Sequence, residues 1–322
     1  MPFVTKIINR LANSAPANAA VNRSKRILLP GFRNIPLYDV IKFFIGQVQT
    51  VGMTERASSI AFNFVMAIPP AIIFLFTLIP YLPISLHFEN ALYSLIRDII
   101  PGEKNNTTLI NFLHDFIRKP RTGLLSFGFL LSLFFSSNAL IGIMRSFDKN
   151  YIGFRKRSGL QQRITAIGLT LMLFVFIFTS ILLMIAQGAV LKWLGIENET
   201  IRTLIINARW IVIILLFLAS VSIIYRNAPA VQKKWKLINP GTILATFLML
   251  LLTLGFSYWV NNFGTYNTLY GSIGTILILM LLIYFNSLVL LIGFELNVSI
   301  TSLKKIADER KNSEVEGNAM SE

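Results

Sequence analysis

Residues 270–297 read YGSIGTILILMLLIYFNSLVLLIGFELN. From Ile273 to Phe294 the run carries no charged residue, and Glu295 follows directly. An α-helix needs about 20 consecutive apolar residues to cross the hydrocarbon core of a bilayer, so this stretch reads as a membrane span. A carboxylate so close to the end of a span is unfavourable in lipid unless a protein group neutralises it. The reading of the chain therefore turns on what Glu295 meets.

Five more stretches have the same character. Together the spans fall near residues 57–83, 122–146, 164–188, 205–225, 240–262 and 271–299. The composition agrees: 54% of residues are hydrophobic and only 14% charged, whereas soluble domains average about 25% charged. Basic residues alternate loop by loop. Lys6, Arg10, Arg23, Lys25, Arg26, Arg33, Lys42 and Arg56 precede the first span. Lys149, Arg155, Lys156, Arg157 and Arg163 follow the second, Arg226, Lys233, Lys234 and Lys236 the fourth, and Lys304 and Lys305 the sixth. The loop after the fifth span, NNFGTYNTLYGS, is uncharged. Lys and Arg hold loops on the cytoplasmic side. The expected fold is thus an all-α integral membrane protein with six transmembrane helices and both termini in the cytoplasm. The same rule accounts for most of the +15 net charge without a specific nucleic-acid partner.

Three regions are expected: a flexible basic arm over 1–35, the transmembrane domain over 36–300, and a polar cytoplasmic tail over 301–322, disordered from Ala307 (ADERKNSEVEGNAMSE). Residues 1–20 lack a continuous apolar stretch, so no cleaved signal peptide is expected. Leu37, Val40, Ile41, Phe44, Ile45 and Val48 share one helix face. This is either an amphipathic helix at the membrane interface or one packed on the protein. Residues 84–121 form the one long external loop. Its two apolar faces, Leu92, Leu95, Ile96 and Ile99, then Leu109, Phe112, Leu113, Phe116 and Ile117, predict two short amphipathic helices.

Polar residues inside the spans are the site candidates. Pro69 and Pro70 leave backbone carbonyls of the first span without their helical donors. With Asn63 one turn away, they make either a kinked, polar-lined cavity or a bend packed on neighbouring helices. Asn138, with Ser136 and Ser137, suits hydrogen bonding between helices. Arg209 lies at the outer end of the fourth span beside Trp210. It either snorkels to the headgroups or holds an anionic headgroup at an outer cavity. Tyr266, Asn267 and Tyr270 offer uncharged hydrogen-bonding groups at the outer interface. Glu295 is expected to pair with Arg145 or Arg56 as a clamp at the inner leaflet, assisted by Asn297; a proton relay is the alternative. His87 and His114 are the only histidines and the chain has no cysteine. No metal, nucleotide or nucleophile motif is readable, so neither a cofactor nor an enzymatic activity is expected.

Several of these residues also resemble a known family. Pro240-Gly241, Tyr266-Asn267, Tyr270-Gly271-Ser272 and Gly293 with Glu295-Leu296-Asn297 resemble the C-terminal signature of the YihY/BrkB-like envelope integrity family. Asn138, RSFDKNYIGFRKR and IIYRNAP fit it as well, and the resemblance covers residues 36–300. One departure is Phe62-Asn63, where the family often has a tyrosine. The resemblance implies six membrane helices in the bacterial inner membrane. It also implies transport or handling of phospholipid or another anionic amphiphile, with membrane lipids as partners. The alternative is a scaffold that docks envelope proteins through its external loops. Some members carry an old ribonuclease label, the third and weakest reading.

Overall fold

The computed structural model describes residues 24, 25, 27, 35–50, 52–81, 122–148, 154, 157–193, 199–231, 234–263 and 272–319. They form α1 (Leu37–Thr50), α2 (Met53–Leu78, ending in a 3-10 turn over Ile79–Tyr81), α3 (Thr122–Phe147), α4 (Gly159–Trp193), α5 (Glu199–Asn227), α6 (Pro240–Phe263) and α7 (Ser272–Ala319). No strand occurs among the described residues beyond one isolated bridge, Phe154 to Val231. Six of the helices, α2 to α7, are long and apolar enough to cross a membrane. The two amphipathic helices expected in the long loop, and Tyr266, Asn267 and Tyr270, lie outside the described residues.

The helices belong to two compact units. One comprises residues 1–58, 145–156 and 221–322; the other comprises 59–144 and 157–220.

The first unit gathers chain ends that a six-span path brings to one side: the start of α2, the ends of α3, α5 and α7, and the start of α6. The loops after α3 and α5 are joined there. The Ala230 N–H donates to Asp148 Oδ1 at 3.3 Å, beside the Phe154–Val231 bridge. α1 is seated on α7, with fully buried Val40 packed against Ile300 and flanked by Leu37, Leu296 and Leu303. On its other edge Ile41 and Ile45 stay exposed. The turn from α1 into α2 uses Gly52 at φ +60°, a conformation that glycine adopts without strain. α7 differs from expectation. The tail, read as disordered from Ala307, continues as helix to Ala319. No Pro or Gly interrupts Glu295 to Glu316, and Leu303 is held against α1.

α6 and α7 cross with almost no space between backbones. A Cβ on Gly293 would lie 2.6 Å from the Gly241 carbonyl oxygen, 2.7 Å from Ala245 Cβ and 2.5 Å from the Tyr225 hydroxyl. A Cβ on Gly241 would collide with the Gly293 carbonyl and the Asn297 side chain. Both motif glycines are thus required by close approach.

The second unit is held by an aromatic cluster. Phe74 of α2 lies 5.3 Å from Phe129 of α3 and 5.9 Å from Phe178 of α4, measured between ring centres. Gly128 lets α3 approach the Phe74 backbone, 3.4 Å from where its Cβ would stand. α2 stays helical through Pro69 and Pro70, with Pro70 buried and Pro69 exposed.

Overpacking the crossing should destabilise the protein. Gly293→Ala is expected to lower unfolding stability by about 1–3 kcal/mol or more. Gly255→Ala on α6, with nothing within 4 Å of the added atom, should be neutral or mildly stabilising. Denaturation of both variants in the same detergent checks this, and equal stability would refute the tight crossing.

Candidate functional site

Glu295 is fully buried and Arg56 is 8% exposed. Arg56 Nη1 donates to Glu295 Oε1 at 2.7 Å. Arg56 Nη2 donates to the backbone carbonyl of Ser146. That carbonyl belongs to the last turn of α3, where helix carbonyls have no intrahelical donor. One guanidinium therefore neutralises a buried carboxylate and caps a helix C-terminus, whose partial negative charge favours a cation.

Of the two candidate partners, Arg145 is not the one. It is exposed, whereas Met144, Ser146 and Phe147 around it are buried. The helix phase of α3 turns position 145 away and delivers the carbonyl of its neighbour instead.

Phe294, next to Glu295, centres an aromatic cluster. Its ring stacks on Phe147 with centres 3.9 Å apart and planes within 5°. Trp235 lies at 5.6 Å, Phe154 at 6.3 Å and Tyr225 at 6.5 Å. Phe147, Phe294 and Tyr225 are fully buried. The Tyr225 hydroxyl donates to the Leu290 carbonyl at 2.6 Å, which ties α5 to α7. Aromatic rings bury large apolar areas while a tyrosine hydroxyl still finds an acceptor.

Asn297 works at a different place from the one expected. Its Oδ1 accepts the Gly241 N–H at 3.0 Å. Asn239 Oδ1 accepts the Thr242 N–H at 2.9 Å, and the Asn239 carbonyl accepts the Ile243 N–H at 3.1 Å. Pro240 has no N–H. The first four positions of α6 thus leave no orphan donor, with Asn239 as N-cap and Pro240 at the first helical position. Asn297 supplies from α7 the acceptor that α6 lacks.

The second unit holds the other polar candidates. Asn63 of α2 donates from Nδ2 to the Ser59 carbonyl of its own helix at 2.8 Å. It also faces Gly142 of α3, where a Cβ would stand 3.1 Å from that nitrogen. One turn earlier on α3, Asn138 Oδ1 accepts a hydrogen bond from Arg163 Nη1 of α4. The Arg163 guanidinium also lies over the Phe134 ring, 4.5 Å from its centre. Asn63, Asn138 and Arg163 are all half-buried; Asn138 and Arg163 make a polar seam between α3 and α4, and Asn63 of α2 lies one turn further along α3, at Gly142. Arg163 was read only as a loop charge; the N-cap Ser158 brings it inside α4, with Ser158 and Gln161 in reciprocal hydrogen bonds at 3.4 Å. Arg209 lies on α5, and its side chain is outside the described residues. Among the described residues no group of three or more metal-ligating side chains occurs.

The family model for virulence factor BrkB matches residues 44–318. The ribonuclease-like protein YfkH of Bacillus subtilis is 29% identical over 259 residues, 79% of this chain and 92% of YfkH. A UPF0761 membrane protein of Tolumonas auensis is 34% identical over 86 residues, 27% of this chain and 28% of that protein. A UPF0761 membrane protein of Pseudoalteromonas translucida is 33% identical over 78 residues, 24% of this chain and 26% of that protein. No solved structure matches the chain.

Removing either member of the buried pair strands the other, a loss of about 3–5 kcal/mol in comparable sites. Glu295→Leu and Arg56→Met should each cut folded yield and unfolding stability strongly. The double variant should lose less than the sum, with the residual deficit at the Ser146 carbonyl. Additive losses in a double-mutant cycle would show that the two side chains do not interact.

Proposed function

The chain belongs to the virulence factor BrkB family and is a membrane protein; from that premise we propose that it serves envelope integrity in the bacterial inner membrane by moving phospholipid or another anionic amphiphile. The observation that carries the reading is the polar seam of the second unit. A bundle that only spans lipid closes its hydrogen bonds with small and neutral polar residues. Here an arginine of α4 is bonded to an asparagine of α3, and one turn along α3 the Asn63 amide of α2 lies against Gly142, among helices whose outer faces are apolar. A cation on that seam suits a polar headgroup crossing an apolar layer.

The alternating Lys and Arg support an orientation with both termini in the cytoplasm. The reading is not enzymatic. Glu295, a fully buried carboxylate, has Arg56 as its counter-charge, an arrangement suited to a structural role rather than to proton transfer. The ribonuclease-like name belongs to YfkH.

Liposome reconstitution tests the proposal. Purified protein should speed the appearance of a fluorescent phospholipid in the opposite leaflet well beyond protein-free vesicles. Asn138→Leu, compared at equal folded protein, should slow it several-fold. Absence of transfer by the wild-type chain, together with tight capture of one envelope protein, would replace transport by the scaffold reading. A terminal tag accessible from outside the cell would overturn the orientation.

A further inference from the structure

We propose that Arg163, held by Asn138 and Phe134, is a binding site for the phosphate of an anionic phospholipid headgroup at one membrane boundary. The inference rests on the lipid reading above and names the group that would make the contact.

Depth comes first. Arg163 lies in the second turn of α4 (Gly159–Trp193), about 6 Å beyond Gly159 along the axis at ~1.5 Å per residue. It is the last charged residue before the uncharged run Ile164–Leu191, which is longer than the roughly 20 residues that cross the hydrocarbon core. A charge directly before such a run stands where phosphates give way to acyl chains.

Exposure comes second. Leu160 and Ile164, one turn before and one residue after Arg163, are 72% and 62% exposed. Phe134, under the guanidinium, is 50% exposed. Apolar side chains this open, on a helix of this hydropathy, mark a face turned to lipid.

Charge and geometry come third. Among the described residues Arg163 has no carboxylate in ion-pair range, and the buried ion pair found among them is Arg56 with Glu295. A guanidinium carries five N–H donors, and one is bonded here, to Asn138 Oδ1. The stack on Phe134 and the bond to Asn138 fix the plane of the fork. The N–H groups at Nε and Nη2 remain, and a planar fork matches two phosphate oxygens. An uncompensated cation at the edge of hydrocarbon is unfavourable; a lipid phosphate removes that penalty without displacing Asn138. Free inorganic phosphate offers the same oxygens, but it would have to leave water to reach a lipid-facing side chain.

The test uses the full chain in a non-ionic detergent, with phosphatidylglycerol as the probe. Binding is read by native mass spectrometry of the folded fraction. Arg163→Gln should weaken phosphatidylglycerol binding about tenfold, and Arg163→Lys, which keeps charge but loses the fork, about threefold. Asn138→Ala should fall between wild type and Arg163→Gln. Lys236→Gln, an exposed basic residue elsewhere, should change nothing. Folded Arg163→Gln with wild-type binding overturns the site. If Arg163→Gln does not fold, Arg163→Lys and Asn138→Ala decide it, and unchanged binding in both overturns it. Inorganic phosphate that saturates the protein and displaces the lipid at equal concentration overturns the lipid source. The liposome assay separates the two proposals. Arg163-dependent binding without lipid transfer keeps the headgroup site and removes transport; transfer that persists in Arg163→Gln with unchanged binding does the reverse.

Discussion

The contact between Arg56 and Glu295 joins residues 239 positions apart in the chain, and the arrangement of the first unit depends on it. A carboxylate excluded from water needs a counter-charge, and a guanidinium excluded from water needs acceptors for its donors. Arg56 answers these demands with its two terminal nitrogens, Nη1 on Glu295 and Nη2 on the Ser146 carbonyl, while its buried Nε is left without a partner among the described residues. The start of α2, the end of α3 and the inner stretch of α7 are fixed together. Because one of those groups is a carbonyl in the last turn of α3, the interaction also caps that helix end. It determines architecture as well as local stability.

Around this pair, backbone polar groups are satisfied by residues far away in sequence. α6 begins with a proline that has no N–H, an asparagine that caps its third amide, and a second asparagine from α7 that takes the amide between. Gly241 is where that asparagine reaches the backbone, and Gly293 is where the α6 backbone reaches α7. Each of these residues makes sense only with the others present. In a membrane the demand is stricter than in a soluble protein, since lipid offers no substitute hydrogen bonds.

This explains which parts of the structure were legible from the amino-acid order. Spans follow from runs of apolar residues, a local property, and each of the six coincides with a helix long and apolar enough to cross a membrane, although the last helix runs on well past 299. Glu295 stood out because one acid followed a long uncharged run. The choice of Arg56 over Arg145 was not legible, because it depends on the phase of α3 at its last turn. Asn297 was read as an assistant to the ion pair because it is two residues from Glu295. Two residues on a helix point about 200° apart, and Asn297 serves α6 instead. Tyr225 and Phe147 gave no signal, since an aromatic residue in an apolar span looks alike whether it faces lipid or the interior; Trp235 gave none because it stands among lysines in the connection between α5 and α6. Tyr225 lay inside the IIYRNAP motif, which marked the segment but not its contact with Leu290. The helical continuation of α7 was missed because its composition is polar, although the absence of Gly and Pro up to Glu316 was there to be read.

Arg56 and Arg163 show how environment, rather than residue type, separates structure from function. Both lie early in a membrane-crossing helix, and both have a neutral oxygen acceptor on α3, a backbone carbonyl for Arg56 and a side-chain amide for Arg163. Arg56 also has a carboxylate, so its charge is balanced within the protein and a ligand would have to break an ion pair to reach it. Arg163 has an aromatic face and an amide, which orient it without neutralising it. An oriented charge without a carboxylate partner among the described residues is less suited to holding helices together than an ion pair is. It is well suited to a mobile anion that can arrive, bind and leave. A lipid phosphate at the membrane boundary meets that description, and on this reading the first unit is a fixed frame while the second presents the charge that lipid sees.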